Sequence, residues 1–232
     1  AAAAAMLGLG TSAEHVIDGV ASLRAVPGRL ESVNEGQDFH VFVDYAHTEG
    51  ALATVLRLFN GLPHKRIITV VGCGGDRDRS KRGPMGLAAC RGSDRAIFTS
   101  DNPRCEEPGM ILADIEGAVR AAGLQNYRIV PDRAQAIDAA VAEARSGDVV
   151  LIAGKGHEDY QILDDRTVPF DDRQSARAAL KPLVPLALFR PITREARQKM
   201  LARALVQVEH VAPEMGGARI PRRPHDRLEL IG

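Results

Sequence analysis

Arg66-Ile67-Ile68-Thr69-Val70-Val71-Gly72-Cys73-Gly74-Gly75-Asp76-Arg77-Asp78 is the stretch from which the rest of the chain can be read. Its first six residues are mostly aliphatic and show no polar alternation, and they stop abruptly at a glycine-rich, charged loop. An apolar run of this length fits a strand buried on both faces, as in a parallel sheet covered by helices. The pattern recurs on either side. His40–Asp44 (HVFVD), Arg95–Thr99, Tyr127–Val130 and Asp148–Ala153 (DVVLIA) read as further strands. Helical patterns separate or follow them at Leu52–Phe59, Met85–Cys90, Met110–Ala121, Arg133–Ala144 and Ser175–Leu180. This alternation predicts an α/β fold, a Rossmann-like, mostly parallel sheet with helices on both faces. Ligands of such sheets bind outside the carboxyl ends of the strands. The loops that follow the strands are therefore the places to look for chemistry.

The chain has 232 residues, enough for one well-buried domain and additional segments. Lys+Arg and Asp+Glu both number 30, so bulk charge favours neither a nucleic-acid nor a membrane partner. From Lys181 onward there are 10 basic and 5 acidic residues, a mildly basic extension. Cys73, Cys90 and Cys105 form no CxxC pair, which fits a reducing, cytoplasmic setting. No apolar run approaches the roughly 20 residues needed to span a bilayer. Ala1–Leu9 and Ser12–Ala25 read as two helices broken at Gly10, with Ser12 as an N-cap. The chain begins without Met, and its first helix reads as the end of a longer one. It is therefore expected to come from a larger protein. Val26-Pro27-Gly28-Arg29 reads as a tight turn or linker. Beyond Leu183 the alternation stops; Ile192–Val208 could form a basic amphipathic helix, and Gly216–Arg227 reads as irregular.

Four strand ends carry unusual sequences. In Asp44-Tyr45-Ala46-His47-Thr48 an acid, a histidine and a hydroxyl stand where a helix begins, a position that favours anions. Asp44 could hold a ribose hydroxyl or a magnesium-bound phosphate, and His47 could meet phosphate oxygens; equally, Asp44 and Thr48 could only cap the helix. The loop from Gly72 to Arg82 is no dinucleotide fingerprint, because Arg77 stands where the third glycine belongs. A phosphate-binding P-loop sequence occurs nowhere in the chain. Arg77, Arg79, Lys81 and Arg82 could instead bind a carboxylate or a phosphate, or simply face solvent. Ser100-Asp101-Asn102-Pro103-Arg104 is stiffened by its proline. Asp101 and Arg104 would suit the ammonium and carboxylate of an amino acid; a surface ion pair in a turn would be worth at most about 1 kcal/mol. Gly154-Lys155-Gly156-His157-Glu158 combines glycines that permit close approach with both signs of charge, or is a plain glycine turn. Opposite charges in several of these loops point to a ligand with both ammonium and carboxylate groups.

These loops together resemble the C-terminal domain of the Mur ligases, specifically the members that add diaminopimelate. The resemblance covers roughly Val26 to Leu180. It rests on Pro27-Gly28-Arg29, DYAHT (Asp44–Thr48), GCGGDRD (Gly72–Asp78), DNPR (Asp101–Arg104), GKGHE (Gly154–Glu158) and FDDR (Phe170–Arg173). It implies that Asp101, Asn102, Pro103 and Arg104 bind the distal end of meso-diaminopimelate, with Arg77, Gly154 and Glu158 completing the pocket. It implies that Arg29 and Asp44 face the nucleotide, with Tyr45 and His47 beside it. No catalytic residue and no metal ligand is assigned in this chain. The implied reaction uses ATP and Mg2+ to activate a carboxylate of UDP-MurNAc-L-Ala-D-Glu, which the diaminopimelate amine then attacks. The implied organisation is residues 1–25 as the last helices of a central ATP-binding domain, 26–183 as the amino-acid-binding domain, and 184–232 as an extension without assigned role. The N-terminal and central domains are expected as partners, and this chain alone is expected to be inactive. Two other readings stand beside it: a related binding domain without catalysis, and a nicotinamide-dependent oxidoreductase suggested only by the glycines after the second strand.

Overall fold

The computed structural model describes residues 2–22 and 26–183, so Ile192–Val208 and Gly216–Arg227 lie outside the described residues. Strands β1 (Glu31–Val33), β2 (His40–Asp44), β3 (Ile67–Val71), β4 (Arg95–Phe98), β5 (Tyr127–Ile129) and β6 (Val149–Ala153) form one sheet in the order β1-β2-β6-β3-β4-β5. All pairs are parallel except β1 with β2. β6, last of the six in sequence, inserts between β2 and β3, so that Leu151 stands opposite both Phe42 and Thr69.

β3 and β6 are buried at every position, which is why their sequences show no polar alternation. Their side chains still divide between two faces. Ile67, Val71, Leu151 and Ala153 pack with helices α3 (Glu49–Asn60), α4 (Arg82–Gly92) and α5 (Pro108–Ala121). Ile68, Val70, Val150 and Ile152 pack with α6 (Arg133–Glu143) and α7 (Asp172–Leu180). Each aliphatic side chain fully buried this way contributes about 1.5–3 kcal/mol.

Local signals start the helices. The Thr48 hydroxyl accepts the Ala51 N–H at 3.4 Å, and Leu52, Leu56 and Phe59 then line the buried face of α3. Asp132 accepts the Gln135 N–H at 2.9 Å ahead of α6. Asp171 accepts the N–H groups of Arg173 and Gln174, so α7 starts at Asp172 and includes Ser175–Leu180 as expected.

Two features were not expected. β1 is a three-residue edge strand that buries only Val33, too little apolar pattern to register in sequence. A separate hairpin pairs β7 (Tyr160–Leu163) with β8 (Arg166–Pro169), turning at Asp164, whose φ of 55° is one that Asp tolerates. At the other end, α1 (Ala2–Gly8) and α2 (Ala13–Ser22) are separated at Gly10, φ 87°, as expected, and leave Leu9 and Ile17 exposed. Among the described residues no helix is long and apolar enough to cross a membrane.

Candidate amino-acid site

β2, β6, β3 and β4 are consecutive parallel neighbours, so their carboxyl ends emerge along one rim. The four loops singled out in the sequence are those that leave these four strands. Close backbone approach lets them touch. A Cβ on Gly75 would lie 1.9 Å from the Pro103 carbonyl oxygen, and one on Gly28 would lie 2.0 Å from the His157 nitrogen. No side chain fits at either place. The Gly75 N–H donates to the Asn102 carbonyl at 2.9 Å, the Asp76 N–H to Glu106 at 2.6 Å, and the Cys105 N–H to Asp76 at 3.1 Å. The glycine-rich loop is thereby fastened to the DNPR loop.

Lys155 lies at the centre and is fully buried. Its ammonium donates to Asn102 Oδ1 at 3.1 Å and to Glu158 Oε2 at 3.2 Å, and stands 3.6 Å from Asp101 Oδ1. Asn102 Oδ1 also accepts the Ile162 N–H at 3.1 Å. With two donors on that oxygen, the amide nitrogen must face Glu158, to which it donates at 2.9 Å. Buried charges are tolerated only when partnered in this way.

Asp101 differs. It is 8% exposed, and burial pushes its carboxyl above the usual range against the pull of Arg133 and Lys155. Among the described residues, neither of its carboxylate oxygens accepts a hydrogen bond. Its Oδ2 lies 2.9 Å from where a Cβ of Gly154 would be; Gly154 has a φ of 115° and leaves that space open. Arg104, held at φ 54°, donates through Nη1 to the Gly75 and Asn102 carbonyls at 2.8 and 3.3 Å. Its Nε and Nη2 donate to nothing within the described residues. The same Nη1 lies 3.0 Å from where a Cβ of Gly74 would be, and Arg77 Cγ lies 3.7 Å from that point. Among the described residues Arg77 donates to the adjacent Asp76 carbonyl alone. Thus Asp101, Asn102, Pro103, Arg104, Gly154 and Glu158 lie in one network of contacts, which Arg77 adjoins through Gly74. Arg79 and Arg82 are engaged elsewhere: Arg79 and the buried Arg82 pair with Asp114, and Arg82 also with Glu106.

The residues implied to face a nucleotide form a second group on the same rim. The Arg29 guanidinium stacks 4.7 Å over the Tyr45 ring, whose centroid is 4.5 Å from that of His47 and 5.3 Å from that of His157. His47 Nδ1 is bonded to the Tyr45 carbonyl. Asp44 already accepts the Leu30 and Ala46 N–H groups, both at 2.8 Å, so it chiefly positions this turn. Pro27–Gly28 forms a tight turn as expected, with the Arg29 N–H bonded to the Val26 carbonyl and Gly28 at φ 65°.

Several supporting residues had escaped the sequence reading. Arg133 and Asp172, both side chains inaccessible, form a bidentate pair at 2.7 and 2.8 Å. Arg133 also donates to the carbonyls of Ala153 and Ser100, tying the ends of β6 and β4 to α7. Arg173 of FDDR pairs with Asp171 and reaches Glu31 at 3.6 Å, and Glu31 accepts the Gly28 N–H. Helical periodicity carried a signal here: Arg133 shares the buried face of Ala136, Ile137, Ala140 and Val141, and Asp172 that of Ala176 and Leu180. A charge on each of two apolar faces implies that the two meet.

Cys73, behind the glycine-rich loop, has its thiol pushed up to about 12 by burial, so it is no nucleophile at neutral pH. Among the described residues, no three His, Cys, Asp or Glu side chains gather to hold a metal ion.

Residues 28–156 match the family model described as Mur ligase, glutamate ligase domain. The chain is 52% identical over 181 residues to a UDP-N-acetylmuramoyl-L-alanyl-D-glutamate--2,6-diaminopimelate ligase from Solibacter usitatus, covering 78% of this chain and 36% of that protein. It is 51% identical to the like-named ligase of Geobacillus thermodenitrificans, covering 78% and 37%. A solved structure of a ligase of this name superimposes with a TM-score of 0.64 at 38% identity, over 79% of this chain and 37% of that one. The UDP-N-acetylmuramate-alanine ligase of Thermotoga maritima, 16% identical over 78% of this chain and 35% of that one with a TM-score of 0.52, shares the fold. The chain spans a little over a third of the length of the relatives it matches. With the family model covering more than half of it, this chain belongs to the Mur ligase family and carries that family's glutamate ligase domain.

Proposed function

We propose that this rim binds meso-diaminopimelate as the amine donor of an ATP-dependent ligase that adds it to UDP-MurNAc-L-Ala-D-Glu in peptidoglycan precursor synthesis. The observation that carries the proposal is one carboxylate and two guanidinium groups with unused hydrogen-bonding capacity in adjoining loops of the rim. Among the described residues the Asp101 carboxylate accepts no hydrogen bond, and Arg104 and Arg77 have unused donors. An amino-acid end needs that combination: an acceptor for its ammonium and a fork for its carboxylate. Glu158, already shared by Lys155 and Asn102, adds negative charge beside Asp101.

On this reading the chain's residues bind and orient. They grip the distal end of the amino acid and leave its other amine directed at the electrophile, so that much of the barrier is met by positioning. ATP supplies the activation, converting a substrate carboxylate into an acyl phosphate. Arg29, Tyr45 and His47 form a surface that suits a nucleotide, with a stacked guanidinium for phosphate or base. The ATP-dependent step also implies Mg2+, for which no residue of this chain is assigned. Residues 1–25 are read as the end of a central ATP-binding domain, and the reaction requires that domain and the N-terminal one. A cytoplasmic site of action is in keeping with a nucleotide-linked substrate and with free cysteines.

Calorimetric titration of the chain with meso-diaminopimelate and with L-lysine, which lacks the distal carboxylate, tests this. The wild type should prefer meso-diaminopimelate, and Arg104→Ala should lose about 2–5 kcal/mol of that binding with little change for lysine. A wild type that binds the two equally, or neither, would refute the reading.

A further inference from the structure

We propose that the β7–β8 hairpin is the positioning element of this amino-acid site, with Gln161 as the positioning residue that locks the DNPR loop to it. No motif in the sequence pointed to the hairpin, yet four hydrogen bonds join it to the loop. Gln161 Nε2 donates to the Asp101 carbonyl at 2.9 Å, and the Ile162 N–H donates to Asn102 Oδ1 at 3.1 Å. The Arg104 N–H donates to the Ile162 carbonyl at 3.1 Å, and the Asp164 N–H to the Arg104 carbonyl at 2.8 Å. The last two make a parallel bridge between Arg104 and Leu163.

Arg104 therefore has both its backbone groups committed to the hairpin while it sits at φ 54°, a region that non-glycine residues seldom occupy. Such a conformation persists only when the surroundings over-determine it. Here the hairpin holds the backbone, and the Gly75 carbonyl holds the guanidinium. Gln161 is the buried side chain of this junction, while its neighbour Tyr160 and the β8 residues Arg166 and Thr167 are exposed. Placing a polar amide at a buried position is costly unless it is bonded, and among the described residues the Gln161 amide bonds the main chain of Asp101. A merely structural hairpin would have no need to bond all three polar residues of the binding loop.

The proposal takes its ligand from the reading given above, so its test includes a readout that needs no ligand. Gln161→Met removes the donor at similar size, Gln161→Glu replaces it with an acceptor, and Arg166→Ala alters an exposed side chain of the same hairpin. Hydrogen exchange of the Arg104 and Asp164 amides in the full chain should accelerate about tenfold in both Gln161 variants and not in Arg166→Ala. Dissociation constants should rise about tenfold for meso-diaminopimelate and stay within about twofold for L-lysine, with melting temperature nearly unchanged in Gln161→Met. Unaltered Arg104 exchange with an unaltered affinity ratio in both Gln161 variants would overturn the proposal. A wild type that binds neither amino acid would overturn the functional reading, and the exchange rates would then decide the hairpin's role by themselves.

Discussion

Buried carboxylates occur in two neighbouring regions of this molecule, and they are used in opposite ways. Where α6 meets α7, Asp172 takes both arms of Arg133, and that guanidinium uses its remaining reach on the carbonyls of Ala153 and Ser100. At the carboxyl rim of the sheet, Asp101 is almost as buried, but among the described residues its carboxylate accepts no hydrogen bond and has the Lys155 ammonium at 3.6 Å. Charge and burial are alike, and what differs is whether hydrogen-bonding capacity is used up. A closed pair serves the fold, whereas an open one reserves that capacity for a partner from outside. The amino ends of the strands repeat the closed case: Arg66 doubly engages Asp148 and also bonds the Glu143 carbonyl.

If that distinction holds, substitutions in the two regions should part company. The largest effect is expected from Asp172→Ala, which strands a buried guanidinium and should cost about 3–5 kcal/mol in urea unfolding. The double substitution Arg133→Met, Asp172→Leu should regain most of it. If the single variant cost under about 1 kcal/mol, the closed pair would not be the anchor described. Asp101→Asn sharpens the contrast. Because burial raises the Asp101 pKa, folding is favoured by its neutral form, and the charged form weighs against stability once pH rises above the usual carboxylate value. At neutral pH the variant should gain about 1 kcal/mol of stability, roughly 2–4 °C in melting temperature, while losing affinity for meso-diaminopimelate. The smallest effect concerns Asp148. Burial pushes its carboxyl up, but hydrogen bonds from Arg66 and the Arg145 N–H outweigh this and hold it below the usual range. A depressed pKa gives stability that is present above the unfolded value, about 3.9, and is lost as pH falls through the folded value. The urea midpoint should therefore drop between about pH 5 and pH 3, and less steeply in Asp148→Asn. An equal slope in the two proteins would remove Asp148 from that account.

The main sheet and all five of its anticipated strands were legible because β3 and β6 are aliphatic throughout and because capping residues stand at the starts of α3 and α6. The rim residues were legible as well, since they sit in short charged motifs at strand ends. β1, the β7–β8 hairpin and the Arg133–Asp172 pair were not. β1 and the hairpin are short segments with weak periodicity, and for the pair the placement of each charge on a buried helix face gives only a hint of a contact across 39 residues. The division of labour inside the motifs was also hidden. Asp44 is occupied by backbone N–H groups, and Arg82 by Glu106 and Asp114, although both had looked as available as Asp101 and Arg77.

Composition, strand-and-helix alternation and the charged loops were enough to determine that this chain forms a mostly parallel sheet with opposite charges at its carboxyl ends. Those properties are local, carried by side-chain type and period. Only the tertiary structure decided which of those charges remain open. Hydrogen-bond satisfaction is a property of pairs, and the pairs are made by strand order: β6 between β2 and β3 brings Lys155 and Glu158 to Asp101 and Asn102.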